Sequence, residues 1–278
     1  LGVSASAILV RFSQAPSGVT AAYRLGWTVL LLLPVVLLRC RAELRRVTAR
    51  DLVLCGASGV LLALHFLTWF ESLKRTSVAS STVLVSTEVI FTALGFALFL
   101  HGKIPRLGVW AILLAFGGSA LLALSGGGGA GELSGNLLAL AAASAAAVYT
   151  LIGRIQRGHL STTVYTFLTY LACFLTLLLG TAAAGTPLTG YGGREWLIGL
   201  ALAVLCTLLG HSLFSWCLKY LSPSYVSAAK LCEPVFSSLA AIPLFGEVPG
   251  PLQLAGGAAV LGAVLLYTWA EREKTPAG

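Results

Sequence analysis

The sequence contains no methionine, and charged residues are scarce, at 10% of its 278 positions against about a quarter in soluble domains. With no methionine at all, the sequence is expected not to begin at its native initiator. Either the protein avoids methionine or such positions are missing from the sequence. No G-x-x-x-x-G-K-[ST] loop occurs, so ATP hydrolysis within this chain is not expected. The nucleophile elbow G-x-S-x-G and the zinc motif H-E-x-x-H are missing too. Six cysteines (Cys40, Cys55, Cys173, Cys206, Cys217, Cys232) show neither C-x-x-C nor metal-ligand spacing. They read as small hydrophobes, and no metal or cofactor is expected. No cleavable signal peptide is visible.

What the sequence does hold is apolar. Hydrophobic residues make up 57% of it, and its mean hydropathy is +0.90. A soluble globule of this size cannot hide so much apolar surface, so the expected solvent is the lipid bilayer. Breaking the chain at Gly, Pro and charge clusters gives ten helical spans: 1–13, 17–38, 51–73, 78–100, 106–124, 135–153, 161–183, 195–218, 223–245 and 251–270. Most are near the ~20 residues that a ~30 Å hydrocarbon core demands. They are continuously apolar and about twice the length of a barrel strand, which excludes a β-barrel.

A net charge of +8 would suit nucleic acid only if it formed a basic face on a soluble module, so no nucleic-acid partner is expected. The basic residues are instead sorted by loop. One set of alternate loops and the tail hold Arg39, Arg41, Arg45, Arg46, Arg50, Lys103, Arg106, Arg154, Arg157, Lys219, Arg272 and Lys274. The other set holds Lys74, Arg75 and Arg194, with Arg11 at the end of the first span. The positive-inside rule then places both termini of a multi-pass cell-membrane protein in the cytoplasm.

Self-comparison shows an internal repeat. EVIFTALGFALFLHGKIP from Glu88 matches EPVFSSLAAIPLFGEVP from Glu233, pairing Glu88 with Glu233 and Phe91 with Phe236. After a one-residue gap, which a lost methionine would explain, Gly102 pairs with Gly246, Pro105 with Pro249 and Gly118 with Gly262. HFLTWFESLK from His65 resembles HSLFSWCLK from His211. Five spans per unit force the second copy to enter the membrane from the opposite side. The expected fold is therefore an all-α membrane protein of ten transmembrane helices in two inverted five-helix repeats. Residues 1–125 and 135–271 form the units, a Gly-rich linker covers 126–134, and 272–278 is a cytoplasmic tail.

A five-span unit ending in EPVF…GE.P before a Gly-rich span resembles the EamA-type branch of the drug/metabolite transporter superfamily. The resemblance covers essentially the whole chain and is strongest over 65–124 and 211–270. It departs where Gly246-Glu247 becomes Gly102-Lys103 and where Glu233-Pro234 becomes Glu88-Val89. Similarity to this family implies ten helices around a central substrate cavity, with the fifth and tenth as outer supports. It leaves the substrate open among amino acids, other metabolites, drugs, sugars and quaternary amines.

A charge at mid-bilayer costs roughly 2.5–3.5 kcal/mol on insertion scales, so one that is present usually faces the bundle interior or water. Arg24, Glu88, Lys230 and Glu233 qualify, with His65 and His211 as cheaper companions. At 100° per residue, Ser227, Lys230, Glu233 and Ser237 share a helix face. Ser81, Glu88, Thr92 and Gly95 form a second stripe, and His65, Trp69 and Ser72 a third; the three are expected to meet in one volume. Each residue has a plainer reading as well. Lys230 and Glu233 can neutralise each other along one helix, and Arg24 can snorkel to outer headgroups. His65 and His211 can hydrogen-bond a neighbouring helix or take part in proton coupling. Pro234 removes a donor and frees a carbonyl near Lys230. Trp69 and Tyr149 can stack on substrate or merely pack, while Trp27, Trp110, Trp196 and Trp269 read as interfacial belt residues.

No catalytic set emerges, and the chain reads as a non-enzyme. The favoured reading is a secondary transporter moving a small polar metabolite, an amino acid or related zwitterion, by alternating access and in the export direction. Its transport is coupled to protons or driven by the substrate gradient. The alternatives are uptake or exchange of an organic cation such as choline, or an intramembrane enzyme on a lipid-linked substrate. The last would need an acid, base or metal cluster at one membrane face.

Overall fold

The computed structural model describes residues 5–99, 105–125, 130–221, 223, 226, 230 and 232–272, and among these every regular element is helical. The chain runs α1 (Ala5–Phe12), α2 (Ser17–Arg39), the short α3 (Arg41–Leu44) and α4 (Ala49–Arg75). It continues through α5 (Val78–Val85), α6 (Glu88–Phe99), α7 (Arg106–Ser125), α8 (Ala130–Gln156) and α9 (Thr162–Ala183). A continuous rod follows: α10 (Gly193–Ala201), a π-helix (Leu202–His211) and α11 (Ser212–Cys217). The last helices are α12 (Cys232–Phe245) and α13 (Pro251–Arg272).

Seven described segments are long and apolar enough to cross a membrane: 17–39, 49–75, 78–98, 131–156, 162–183, 193–217 and 251–270. Arg106–Leu122 and Glu233–Phe245 are shorter apolar helices. The outward faces of the long segments carry Leu38, Val53, Leu98, Leu179 and Leu197, all well exposed. Water would not tolerate so continuous an apolar surface, and acyl chains would.

The helix starts follow from local chemistry. Thr48 caps α4 in a reciprocal box with Asp51, and Ser77 and Ser161 cap α5 and α9. The span expected over 78–100 is not one helix. Ser86 and Thr87 turn their hydroxyls back onto Thr82 O at 2.8 Å and Leu84 O at 2.7 Å. There the backbone tightens to i−3 bonds, Thr87 N to Leu84 O at 3.1 Å and Ile90 N to Thr87 O at 2.9 Å. Such back-bonding competes with the helical ladder, and α5 gives way to α6 at Glu88. The linker expected over 126–134 is helical from Ala130 onward; residues 126–129 lie outside the described ones.

The most extensive pairings are α4 with α8 and α9, α7 with α13, and α2 with α9. Glycine lets α7 meet α13 closely. A Cβ on Gly118 would come within 2.9 Å of Gly256 O, and one on Gly256 within 2.9 Å of Gly118 O.

Candidate functional site

The α5–α6 break sets Glu88 in the first turn of a helix, and Glu233 stands likewise in the first turn of α12. Helix N-termini carry partial positive charge, so both carboxylates are placed where their charge is best tolerated. Pro234 also falls in that first turn, where a missing N–H costs no hydrogen bond. Thus the expected freeing of a carbonyl near Lys230 does not follow; the proline in the interior of α12 is Pro243.

Lys230 does not neutralise Glu233. Its Nζ donates to both oxygens of Glu88, at 2.9 and 2.8 Å, from a chain segment 142 residues away. Thr150 donates to Glu88 Oε1 at 2.9 Å, and the Lys230 ammonium lies 5.5 Å from the centre of the Phe214 ring. Glu233 is buried, and its Oε1 has no hydrogen-bond partner among the described residues.

These groups line one narrow cavity of about 30 Å³, room for little more than a water. Leu62, Val85, Ser86, Ala146 and Phe214 complete a wall that includes His65, Trp69, Glu88, Tyr149, His211, Lys230 and Glu233. Seven of the eight expected site residues therefore meet in one place. His65 Nδ1 pairs with Ala142 O at 3.0 Å, bearing out the neighbouring-helix reading for that nitrogen. Its ring stacks on Trp69, with centroids 5.8 Å apart, and lies 6.3 Å from that of His211. The Tyr149 hydroxyl pairs with Ser215 Oγ at 3.2 Å, and Trp69 Nε1 is buried without a partner.

Arg24, the eighth, does not snorkel. It is fully buried, with Nε donating to Thr207 Oγ1 at 2.7 Å and Nη1 to Ser6 Oγ at 3.2 Å. Its Cζ sits 4.2 Å from the centre of the Phe66 ring, and Phe66 packs 5.5 Å from His211. Arg24 itself is not among the residues that line the cavity.

Other parts of the expected stripes go elsewhere. Ser81 and Ser72 bond each other at 2.9 Å. A Cβ on Gly95 would lie 2.6 Å from Leu151, so that position packs against α8. Thr92 is buried with an unpartnered hydroxyl, and Ser227 lies outside the described residues. The single volume expected for all three stripes receives Lys230 and Glu233 from the first, Glu88 from the second, and His65 and Trp69 from the third. Among the belt tryptophans, Trp196 stacks on Tyr23 at 4.0 Å and accepts at its carbonyl from Trp27 Nε1 at 3.2 Å.

The π-helix had no signal in the sequence. Its wide turn points Cys206, Thr207, Gly210 and His211 inward together, setting Thr207 on Arg24 and His211 into the cavity. Thr150 was likewise unmarked, although it directly follows Tyr149 on α8.

Polar contacts join helices at both ends of the bundle. At one end Arg11 pairs with Glu247 at 2.8 Å and donates to Leu73 O, while Glu247 accepts from Val78 N at 2.7 Å. Ser13 and Gln14 N hold Glu195 there, at 2.6 and 3.0 Å. At the other end Asp51 binds His159 at 2.8 Å, and Glu43 accepts from Ser161 N at 2.6 Å. A larger groove of about 890 Å³ opens at that second end beside Arg39, Arg46, Arg50 and Asp51, and none of the eight expected site residues lines it.

The chain matches the EamA-like transporter family over residues 2–124 and 133–269. It belongs to that family. Multi-pass membrane transport is thus the setting in which the buried charges operate. The chain is similar to the pseudopaline exporter CntI of Pseudomonas aeruginosa, at 24% identity over 207 residues, covering 74% of this chain and 72% of the relative. It is 28% identical over 233 residues to a Streptantibioticus cattleyicolor protein named "Probable terminal-alkyne amino-acid exporter", covering 80% and 75%. It is 29% identical over 227 residues to the uncharacterized transporter YwfM of Bacillus subtilis, covering 79% and 74%. A solved crystal structure aligns over 98% of both chains with a TM-score of 0.66 at 20% identity, a likeness of fold.

Proposed function

We propose that this EamA family member is a secondary transporter exporting a small zwitterionic metabolite, an amino acid or a close relative, by alternating access. The observation carrying this reading is the cavity itself, where one ammonium, Lys230, and two carboxylates, Glu88 and Glu233, sit in a dry interior beside Trp69 and Tyr149. Opposite charges held this way complement a substrate bearing both signs, and burial strengthens each interaction. The relatives named as exporters, one of them for a terminal-alkyne amino acid, support the direction and the class.

The inverted repeat enters as part of the proposal. The family match falls on two stretches close to the expected units 1–125 and 135–271. Helix pairings also come in sets that exchange under the repeat: α6 meets α8 as α12 meets α1, and α4 meets α8 as the π-helix meets α1. On this scheme the rod Gly193–Cys217 corresponds to α4, and both termini face the cytoplasm. The narrow cavity with ties at both ends is the occluded form, and Lys230 must leave Glu88 for substrate to enter.

The test is flux in proteoliposomes, using L-propargylglycine as a terminal-alkyne amino acid. Saturable transport with counterflow is expected, reduced at least tenfold by Glu233→Gln and by Lys230→Ala. Flux unchanged in both variants overturns the site. The organic-cation reading is disfavoured by the Lys230 ammonium in the cavity wall; it requires Trp69→Ala to abolish choline binding while Lys230→Ala leaves it intact.

A further inference from the structure

The charges in and beside the cavity do not close among themselves. Lys230 and Glu88 satisfy each other. That leaves Arg24 and Glu233, one cation and one carboxylate, each with a buried polar atom that has no partner among the described residues: Nη2 of Arg24 and Oε1 of Glu233. Among the described residues no ion pair joins the two.

Arg24 is held as a built receptor. A guanidinium offers five N–H donors in a fixed plane. Thr207 on the π-helix and Ser6 on α1 fix two edges of it, and the Phe66 ring on α4 covers a face. Both hydroxyls are neutral, so they orient the charge without cancelling it. A ten-residue π-helix is rare and tends to mark a functional position; here it brings Thr207 onto Arg24 and His211 to the cavity wall. The Phe66 ring lies against the guanidinium and packs 5.5 Å from His211, which lines the cavity. Glu233, in contrast, lines the cavity directly.

We infer that the substrate's carboxylate is received by Arg24 and its ammonium by Glu233, with the Phe66 and His211 rings moving aside to join the two positions. This rests on the amino-acid reading of the cavity and assigns its ends. Lys230 and Glu88 then close the empty cavity upon each other, while the groups left open in this conformation bind the ligand. Trp69 Nε1, a further unpartnered donor on the cavity wall, is available to the carboxylate side.

The test uses the purified full chain in detergent and reads thermal stability with and without three probes. These are L-propargylglycine, its methyl ester (which keeps only the ammonium) and its N-acetyl derivative (which keeps only the carboxylate). The wild type should bind the free amino acid at least tenfold more tightly than either derivative. Arg24→Gln should make the amino acid no better than its methyl ester, and Glu233→Gln should make it no better than the N-acetyl form. Arg24→Lys, which keeps the charge and loses the planar fork, should fall between. Without ligand, Arg24→Gln should melt no lower than the wild type, because it removes a buried charge that has no counter-ion. A wild type that discriminates, with Arg24→Gln discriminating equally, overturns this inference alone. So does a ligand-free Arg24→Gln protein that melts several degrees lower, since Arg24 would then be a packing residue. A wild type that responds to none of the probes overturns the amino-acid reading and this assignment with it.

Discussion

Lys230 Nζ and Glu88 Oε2 stand 2.8 Å apart, joining the segment before α12 to the first turn of α6. Under the proposed repeat the two elements correspond to one another, and the pair would link the two halves. Removing one partner strands the other in a dry interior. Lys230→Gln is therefore expected to lose about 3–5 kcal/mol of stability, and the double variant Lys230→Gln, Glu88→Gln to recover much of it. Denaturation in detergent, run as a double-mutant cycle, measures the recovery; independent, additive losses would show that the two do not depend on each other.

Arg11 and Glu247 pair where α1 and α12 end, and they are expected to gate one approach to the cavity. Their pair is partly exposed, with 29% and 18% of the side chains accessible, and is expected to matter more for access than for stability. In a cysteine-free background carrying Trp69→Cys, Glu247→Gln should raise labelling by a membrane-impermeant maleimide several-fold when the reagent is added outside. Labelling that stays at the parent rate shows that this pair does not gate the cavity.

The α7–α13 seam depends on Gly118 and Gly256, where backbone of one helix meets Cα of the other. Gly118→Leu is expected to cost about 1–3 kcal/mol through overpacking. The adjacent Gly117 has nothing within 4 Å of where its Cβ would be, and Gly117→Leu should be tolerated. Melting temperatures of the two variants check the contrast, and equal losses would place the seam elsewhere.

Orientation is testable without substrate. Twelve basic residues lie on one side of the expected topology against three or four on the other, which places the C-terminal tail inside. A C-terminal green fluorescent protein should fluoresce, and a C-terminal alkaline phosphatase should stay inactive; the reverse pattern inverts the topology.

Much of the helical order was legible because it is written locally. Runs of Leu, Ala and Val between Gly, Pro and Arg clusters set the spans, and their ends agree with the described helices to within a few residues for 17–38, 106–124 and 161–183. The site residues were legible for a related reason. Ionisable groups are costly in hydrocarbon, so Glu88, Lys230 and Glu233 stand out from sequence alone, and the repeat singles out His65 and His211. Of the four tryptophans read as interfacial belt residues, Trp110 and Trp269 are well exposed.

Pairing was not legible, because it depends on which faces of distant helices approach one another. Spacing made Lys230 and Glu233 neighbours on a helix, whereas the fold hands Lys230 to Glu88 on another. The break at Ser86–Thr87 arises from two hydroxyls turning back onto carbonyls, a choice between nearly equal hydrogen bonds that packing settles. Arg24 had equal claims to headgroup and interior until α1, α4 and the π-helix enclosed it. The sequence by itself determined the solvent, the helices and the short roster of buried charges, since each follows from local hydropathy. Tertiary structure alone decided which of those charges satisfy one another and which are left open, because a charge's energy is set by the partners that surround it in space.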